Sequence, residues 1–186
     1  MKFQLLAAAR LTLGLLVLCC VIYPALVWAA ARLAPGHGEG EQIMQNGRLV
    51  GFANVGQLFD KPQYFNSRPS AASYHADASA GSNKGPSNPD YLKEVKARLD
   101  TFLVKNPGVK AADVPAELLT ASGSGLDPDL SPQGALVQVP RVAQARQLPA
   151  GQVQALVQQH IETSVLGPDH VNVLKLNVAL DALKAK

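Results

Sequence analysis

Residues 11–31 read LTLGLLVLCCVIYPALVWAAA, and this stretch decides how the rest of the chain is organised. It lies between Arg10 and Arg32 and contains no Asp, Glu, Lys, Arg or His. As an α-helix rising about 1.5 Å per residue it spans roughly 30 Å, which is the thickness of the hydrocarbon core of a bilayer. The pattern predicts a stub over residues 1–10, a transmembrane helix over residues 11–33 and one domain over residues 34–186.

The charges that flank this stretch predict its orientation. Lys2 and Arg10 precede it without an acidic residue, whereas Arg32 follows it and is soon followed by Glu39 and Glu41. Lys and Arg near the ends of a membrane helix favour the cytoplasmic side. We therefore expect the N-terminus in the cytoplasm and the domain outside.

The predicted membrane helix runs from Leu11 and contains two residues that indicate its surroundings. Trp28 lies near the outer end, where an aromatic side chain suits the membrane–water interface. Pro24 lies inside the helix and is tolerated where neighbouring helices or a local 3₁₀ adjustment satisfy the freed carbonyl. This favours a helix with protein partners in the lipid bilayer.

A cleavable signal peptide is the alternative to a permanent anchor, because Ala29-Ala30-Ala31 has the small residues that a signal peptidase requires. The apolar run is longer than the usual core of a signal peptide, which is about 7–15 residues. A lipoprotein anchor fits poorly, because Leu18 precedes Cys19 where a small residue is expected. We take the anchor as the working interpretation.

Composition excludes several classes of function. Lys2, Arg10 and Arg32 account for the whole formal net charge of +3, so residues 33–186 are formally neutral. With no basic run, nucleic-acid binding is not expected. Both cysteines, Cys19 and Cys20, fall in the apolar stretch, so the domain has no disulfide and relies on its core and its partners.

The first half of the domain contains two local structure signals. Asn46-Gly47 between apolar runs predicts a β-hairpin, with a further extended or edge segment at residues 55–59. Asn88-Pro89 predicts a helix start, and the apolar spacing that follows predicts one amphipathic helix that ends near Asn106. Between them, residues 63–89 are rich in Ser, Asn, Gly, Pro and Ala, and we interpret them as ordered and surface-forming.

The second half predicts short helices and a final strand. Ser131-Pro132 opens a helix, Val139-Pro140 interrupts it, and Pro149 begins another. His170 starts an alternating strand pattern that passes into a helix up to Leu183. The predicted fold class is α+β, with more helices than strands.

The sequence contains no complete catalytic motif. A nucleophile elbow at Ser124 requires Gly two residues earlier, where Ser122 stands, and a dinucleotide fingerprint requires Gly at the position of Pro128. The four histidines form no zinc-binding pair. For Asp127 and Asp129, a position near a helix N-terminus is a sufficient explanation. Arg68 is compatible with an ion pair or with an anion site.

Several long runs together resemble one family, the C subunit of the Kdp potassium-transporting P-type ATPase. They are FNSRPSA at residues 65–71, GSNKGPSNP at 81–89, LTASGSGLDP at 119–128, QVPRVA at 138–143 and VNVLKLN at 171–177. With the N-terminal helix, they cover nearly the whole chain.

The resemblance implies a non-catalytic subunit of a four-subunit complex in the bacterial plasma (inner) membrane. Its partners would be a channel-like potassium-translocating subunit, a P-type ATPase subunit and a small membrane subunit. The complex handles potassium, ATP and Mg²⁺, and we expect no cofactor or metal bound directly to this chain. The family's C subunit is essential for assembly and has been proposed to act as a catalytic chaperone that raises the ATP affinity of the ATPase subunit.

Two groups of residues are candidate sites. The predicted subunit-docking residues are Ser67, Arg68, Pro69, Ser70, Gly81, Ser82, Asn83, Gly85, Pro86 and Asn88. The candidate nucleotide-linked turn, which we expect to be followed by a helix start, is Ser122, Gly123, Ser124 and Gly125. The alternative function is an envelope hydrolase whose nucleophile is Ser67, Ser70 or Ser124.

Overall fold

The apolar stretch forms one helical rod in the first of two compact units, which cover residues 1–42 and 43–186. The computed structural model describes residues 2–183. The rod consists of α1 (Lys2–Val17), a π-helical turn (Leu18–Ile22) and α2 (Tyr23–Ala31). Its part from Phe3 to Ala31 is long and apolar enough to cross a membrane, by length and composition.

The π turn ends two residues before Pro24, where the sequence left open neighbouring helices or a local 3₁₀ adjustment. The amide of Tyr23 donates to the carbonyl of Leu18, five residues earlier. Pro24 has no N–H, and a proline ring in a regular helix clashes with the carbonyl four residues back. A wider turn at this place accommodates the proline without ending the rod.

The second unit opens with the predicted hairpin. Strands β1 (Gln42–Gln45) and β2 (Arg48–Phe52) pair with each other. Asn46 and Gly47 have φ of 51° and 75°, as a type I′ turn requires, so this prediction is confirmed. Residues 55–59 form no strand, because their backbone bonds elsewhere: the Gly56 amide donates to the carbonyl of Leu126 at 2.7 Å.

Helix α3 (Pro89–Lys105) begins where the sequence predicts. The side chain of Asn88 accepts hydrogen bonds from the amides of Asp90 and Tyr91, at 2.9 and 3.1 Å. On its apolar face, Leu92 is 53% exposed, whereas Val95, Leu99 and Phe102 are half-buried against the core. Helix α3 therefore lies at the surface of the unit.

Four helices and a small sheet complete the second unit. The helices are α4 (Pro132–Leu136), α5 (Val139–Arg146), α6 (Ala150–Gln159) and α7 (Val173–Ala182). The strands β3 (Asp129–Leu130), β4 (Ile161–Glu162) and β5 (His170–Asn172) form an antiparallel sheet in the order β3-β5-β4. Short 3₁₀ turns occur at Ala111–Asp113 and Ala116–Leu118 in this unit, and at Pro35–Gly38 in the first unit. The α+β class and the terminal strand followed by a helix are confirmed.

The core is built mainly from α4–α7 and the sheet, and one residue of the polar stretch joins it. Phe65 is fully buried, although we interpreted residues 63–89 as surface-forming, so that prediction was wrong at this position. The fully buried apolar side chains around it include Ala135, Val142, Val153, Val157, Val171, Leu176 and Leu180.

Candidate functional site

Two buried amide side chains hold the segment of residues 62–66, which leads into the predicted docking residues. Asn177 of α7 accepts from the Phe65 amide at 2.9 Å and donates to the Phe65 carbonyl at 3.0 Å. Gln138 accepts from the Asn66 amide at 2.8 Å and donates to the Asn66 carbonyl at 3.2 Å. The two amides thus bond consecutive backbone residues as a neighbouring strand would.

Two arginines of α5 bind the backbone just before Phe65. Arg141 Nη1 donates to the carbonyls of Pro62 and Tyr64, at 2.6 and 2.9 Å. Arg146 Nε donates to the carbonyl between them, that of Gln63, at 2.8 Å. Three successive carbonyls are therefore fixed by charge-assisted hydrogen bonds.

Sequence reasoning missed this arrangement. The available signal was in QVPRVA, where Gln138, directly before α5, and Arg141, three residues later, alternate with the buried valines Val139 and Val142. Polar side chains on an inward face require buried partners.

Arg68 forms an ion pair within the chain, which decides between the two interpretations that the sequence left open. Its Nη1 lies 2.8 Å from Asp127 Oδ2, and both side chains are about a quarter exposed. Asp127 also accepts from the Asp129 amide at 3.1 Å. Asp129 is in strand β3, two residues before Ser131, which caps helix α4. Asp127 is bonded to Arg68 and to the Asp129 amide instead of to the helix.

The hydroxyl of Tyr74 donates to the carbonyl of Arg68. Burial raises the pKa of this hydroxyl, which keeps it protonated and able to donate. The guanidinium Nε of Arg68 is buried and has no hydrogen-bond partner among residues 2–183. Arg68 is thus held through its carbonyl by Tyr74 and through its side chain by Asp127.

The serines proposed as nucleophiles bond to backbone groups. Ser67 Oγ donates to the carbonyl of Gln57 at 2.9 Å, and Ser70 Oγ donates to that of Gly125 at 2.6 Å. Ser124 Oγ accepts from the Leu126 amide at 3.1 Å. In the described part of the chain none of the three is hydrogen-bonded to a histidine, the base that a serine nucleophile needs, so the hydrolase alternative is not favoured.

The candidate nucleotide-linked turn packs against the docking residues. Ser122 Oγ accepts from the Gly125 amide at 2.9 Å, and the carbonyl of Ser124 accepts from the Ala80 amide at 2.9 Å. Gly125 has φ of 70°, and a Cβ there would lie 2.7 Å from the Ala80 carbonyl. The following element is strand β3, so the expected helix start after the turn was wrong.

The two predicted groups therefore form one continuous surface. A Cβ on Gly81 would lie 3.0 Å from the carbonyl of Gly123, and Ser70 is bonded to the same turn. Lys84 forms an ion pair with Glu94 of α3, and this hydrogen bond lowers the pKa of the Glu94 carboxyl. Of the other docking candidates, Ser82 and Pro69 are half-buried and the exposed ones are Asn83, Gly85, Pro86 and Asn88.

The comparison with known families identifies the chain. The family described as "K+-transporting ATPase, c chain" matches residues 5–182. The chain belongs to the KdpC family.

Curated KdpC relatives match over nearly their whole length. The Potassium-transporting ATPase KdpC subunit of Flavobacterium johnsoniae is 54% identical over 181 residues, covering 97% of this chain and 99% of that protein. Those of Bacteroides fragilis and Gemmatimonas aurantiaca are 50% and 48% identical, covering 97% and 96% of those proteins. As a KdpC subunit, the chain is an accessory part of a potassium-transporting ATPase and not itself the catalytic enzyme.

Proposed function

We propose that this chain is the non-catalytic subunit through which the Kdp complex is assembled and stabilised. Its partners are the channel-like subunit, the P-type ATPase subunit and the small membrane subunit. The observation that carries the proposal is the polar surface around residues 67–88, which is bonded to the 122–125 turn through Ser70 and Ala80. Buried side chains fix the backbone of residues 62–66 directly before it, and the described residues contain no catalytic constellation. A surface that is ordered before binding loses little entropy when a partner docks.

The proposal places the N-terminus in the cytoplasm and the second unit outside the plasma (inner) membrane. Lys2 and Arg10 support this orientation. A reporter that works only in the periplasm, fused after Lys186, should be active. A cytoplasm-dependent reporter that is active at the same position would reverse the assignment.

The docking surface is tested through its exposed and charged residues. Replacing Arg68 and Asn83 with Ala should reduce recovery of the complex more than it lowers the melting temperature of the chain, because both side chains lie on the ordered surface. Asn54→Ala, at another exposed asparagine, is the control for Asn83. Asp127→Ala breaks the same ion pair as Arg68→Ala and controls for lost stability.

Recovery is measured by co-purification from detergent with the channel-like and ATPase subunits. Equal recovery of the Arg68 and Asn83 variants and the wild type would contradict the docking role. Failure of the wild-type chain to co-purify with these subunits would contradict the proposed function itself.

The catalytic-chaperone role is proposed as an indirect one. The carboxylate of Asp129 lies close to the 122–125 turn in the chain and would repel phosphates, whereas that of Asp127 is paired with Arg68. An external domain is also separated from a cytoplasmic ATPase headpiece. Any influence on nucleotide affinity would then pass through the subunits in the membrane.

A further inference from the structure

Arg141 is a buried cation whose hydrogen-bond partners are all neutral. The residue is 7% exposed. Its guanidinium donates to the carbonyls of Pro62 and Tyr64, to Asn106 Oδ1 at 2.9 Å and to Gln138 Oε1 at 2.7 Å. These bonds use four of the five N–H donors of an arginine, and the remaining one is on Nη2.

This arrangement leaves a positive charge without a counter-charge in the described part of the chain. Burying an unpaired charge is costly, and structures normally pair it with an acid. The same burial lowers the pKa of Arg141 to about 10, which shows how strongly its surroundings disfavour the charged form. Arg146 on the same helix differs, because it pairs with Asp181 at 2.5 Å.

Arg141 lines a cavity of about 240 Å³ whose other walls are the end of helix α3 and residues 60–66. Lys105, the last residue of α3, also lines it and forms no ion pair within residues 2–183. Asp60 is the one acid on the wall, and it is exposed and likewise unpaired in the described structure. The cavity therefore has an excess of positive charge.

A second cavity, of about 300 Å³, continues the first. It shares Asn66 and Lys105 with it, and the rest of its wall consists of the apolar Ala97, Phe102 and Leu118 with Thr101 and Arg98. The charge of Arg98 is paired with Glu94 within α3. The two together form a groove, which we call the α3 groove, with a cationic end and an apolar end.

We propose that the α3 groove binds an acidic segment of another subunit of the ATPase, with a carboxylate directed to Lys105 and Arg141 and an apolar side chain against Phe102 and Leu118. This rests on the proposed function and names the chemistry of a second contact. A small free anion would satisfy the cationic end but would leave the apolar end empty. A peptide segment that carries both groups fits the whole groove.

The test is the charge reversal Lys105→Glu in the full chain, produced together with the other subunits. The new carboxylate supplies the missing counter-charge inside the cavity and repels the partner's acid. The melting temperature of the chain should therefore rise. Recovery of the complex should fall by about tenfold, which corresponds to about 1.4 kcal/mol. A purely structural role for Lys105 would move both quantities in the same direction.

Lys110→Glu is the matched control, because Lys110 is exposed, unpaired within the described residues and absent from the walls of both cavities. It should change neither quantity. Lys105→Gln removes the charge without adding an acid, and it should give a smaller loss of recovery. Unchanged recovery with Lys105→Glu, or loss of recovery accompanied by a lower melting temperature, would overturn the proposal.

Two further arms separate the competing occupants. Asp60→Asn should leave the melting temperature unchanged, whereas a lower value would make Asp60 the internal counter-ion of Arg141 and overturn the proposal. A higher melting temperature of the wild-type chain in inorganic phosphate than in chloride, together with full recovery of the Lys105→Glu complex, would indicate a free-anion site. This result would also overturn the proposal. If the wild-type chain fails to co-purify, the proposed function is refuted. If the wild-type complex forms and Lys105→Glu leaves it intact, only the groove proposal is refuted.

Discussion

Single side chains fix the conformation of residues 62–66, the segment that leads into the docking residues. Gln138 and Asn177 each bond both backbone groups of one residue, and the polar segment they hold has no strand beside it to do so. Removing Asn177 leaves the buried amide and carbonyl of Phe65 without partners, and removing Gln138 does the same to the partly buried groups of Asn66. Each such group costs about 1–3 kcal/mol.

Gln138→Ala should therefore lower the free energy of unfolding by about 2–5 kcal/mol, since it orphans both backbone groups of Asn66 and one donor of Arg141. The measurement is a urea titration of the chain in detergent. Gln144→Ala, at an exposed position of helix α5, is the control and should stay within about 0.5 kcal/mol of the wild type. Equal midpoints for the two variants would show that solvent replaces the lost bonds.

These residues could not be predicted from local sequence. Gln138 meets Asn66, 72 residues away, and Asn177 meets Phe65, 112 residues away, so no short pattern contains both partners. The ion-pair alternative for Arg68 could be predicted, but its partner Asp127 could not. A polar residue is expected at the surface unless its distant partner is known.

At the scale of elements, the accuracy of prediction follows the range of the signal. The Asn46-Gly47 hairpin, the start of α3, the break at Val139-Pro140 and the final strand and helix are confirmed, because caps, turns and prolines act within a few residues. Two features were not predicted: residues 55–59 form no strand, and Asp129–Leu130 form strand β3. Such short strands exist only through their pairing partners, as Leu130 does opposite Val171.

The cap of α3 gives a test at this scale. Asn88→Ala removes the acceptor for the amides of Asp90 and Tyr91 and should lower the free energy of unfolding by about 1 kcal/mol. Asn88→Asp keeps an acceptor and should retain most of the stability. Thermal unfolding followed by circular dichroism distinguishes the two.

The complex supplies a second readout. Because Asn88 is also a docking candidate, Asn88→Asp tests whether its amide group contacts a partner. Stability retained with recovery of the complex lost would assign it both roles. Full recovery would restrict it to capping.

At the scale of the whole molecule, the sequence predicted one apolar helix and one α+β domain because both depend on average properties over many residues. The apolar run and the neutral, thiol-free remainder are visible without any pairing information. The joining of the two predicted surface groups into one was not visible, since it depends on how the chain returns on itself near Gly81 and Gly123.

We predict that the chain binds ATP no more tightly than millimolar. The amides of Gly125 and Leu126 are already bonded to Ser122 and Ser124, and the turn leads into a strand without the helix N-terminus that favours phosphates. Calorimetric titration of the detergent-solubilised chain with Mg-ATP measures this. A micromolar dissociation constant that Ser124→Ala abolishes would contradict the prediction.

The bond between Phe65 and Asn177 also has a consequence for biosynthesis. A ribosome releases residues 62–66 long before helix α7, so nascent chains lack Asn177 while Phe65 is already exposed. We expect Gln138, Arg141 and Arg146 to bind this segment first and Asn177 to complete its order. Chains that terminate before Asn177 would carry the N-terminal helix but leave the backbone of Phe65 without its partner, so assembly would favour subunits that contain helix α7.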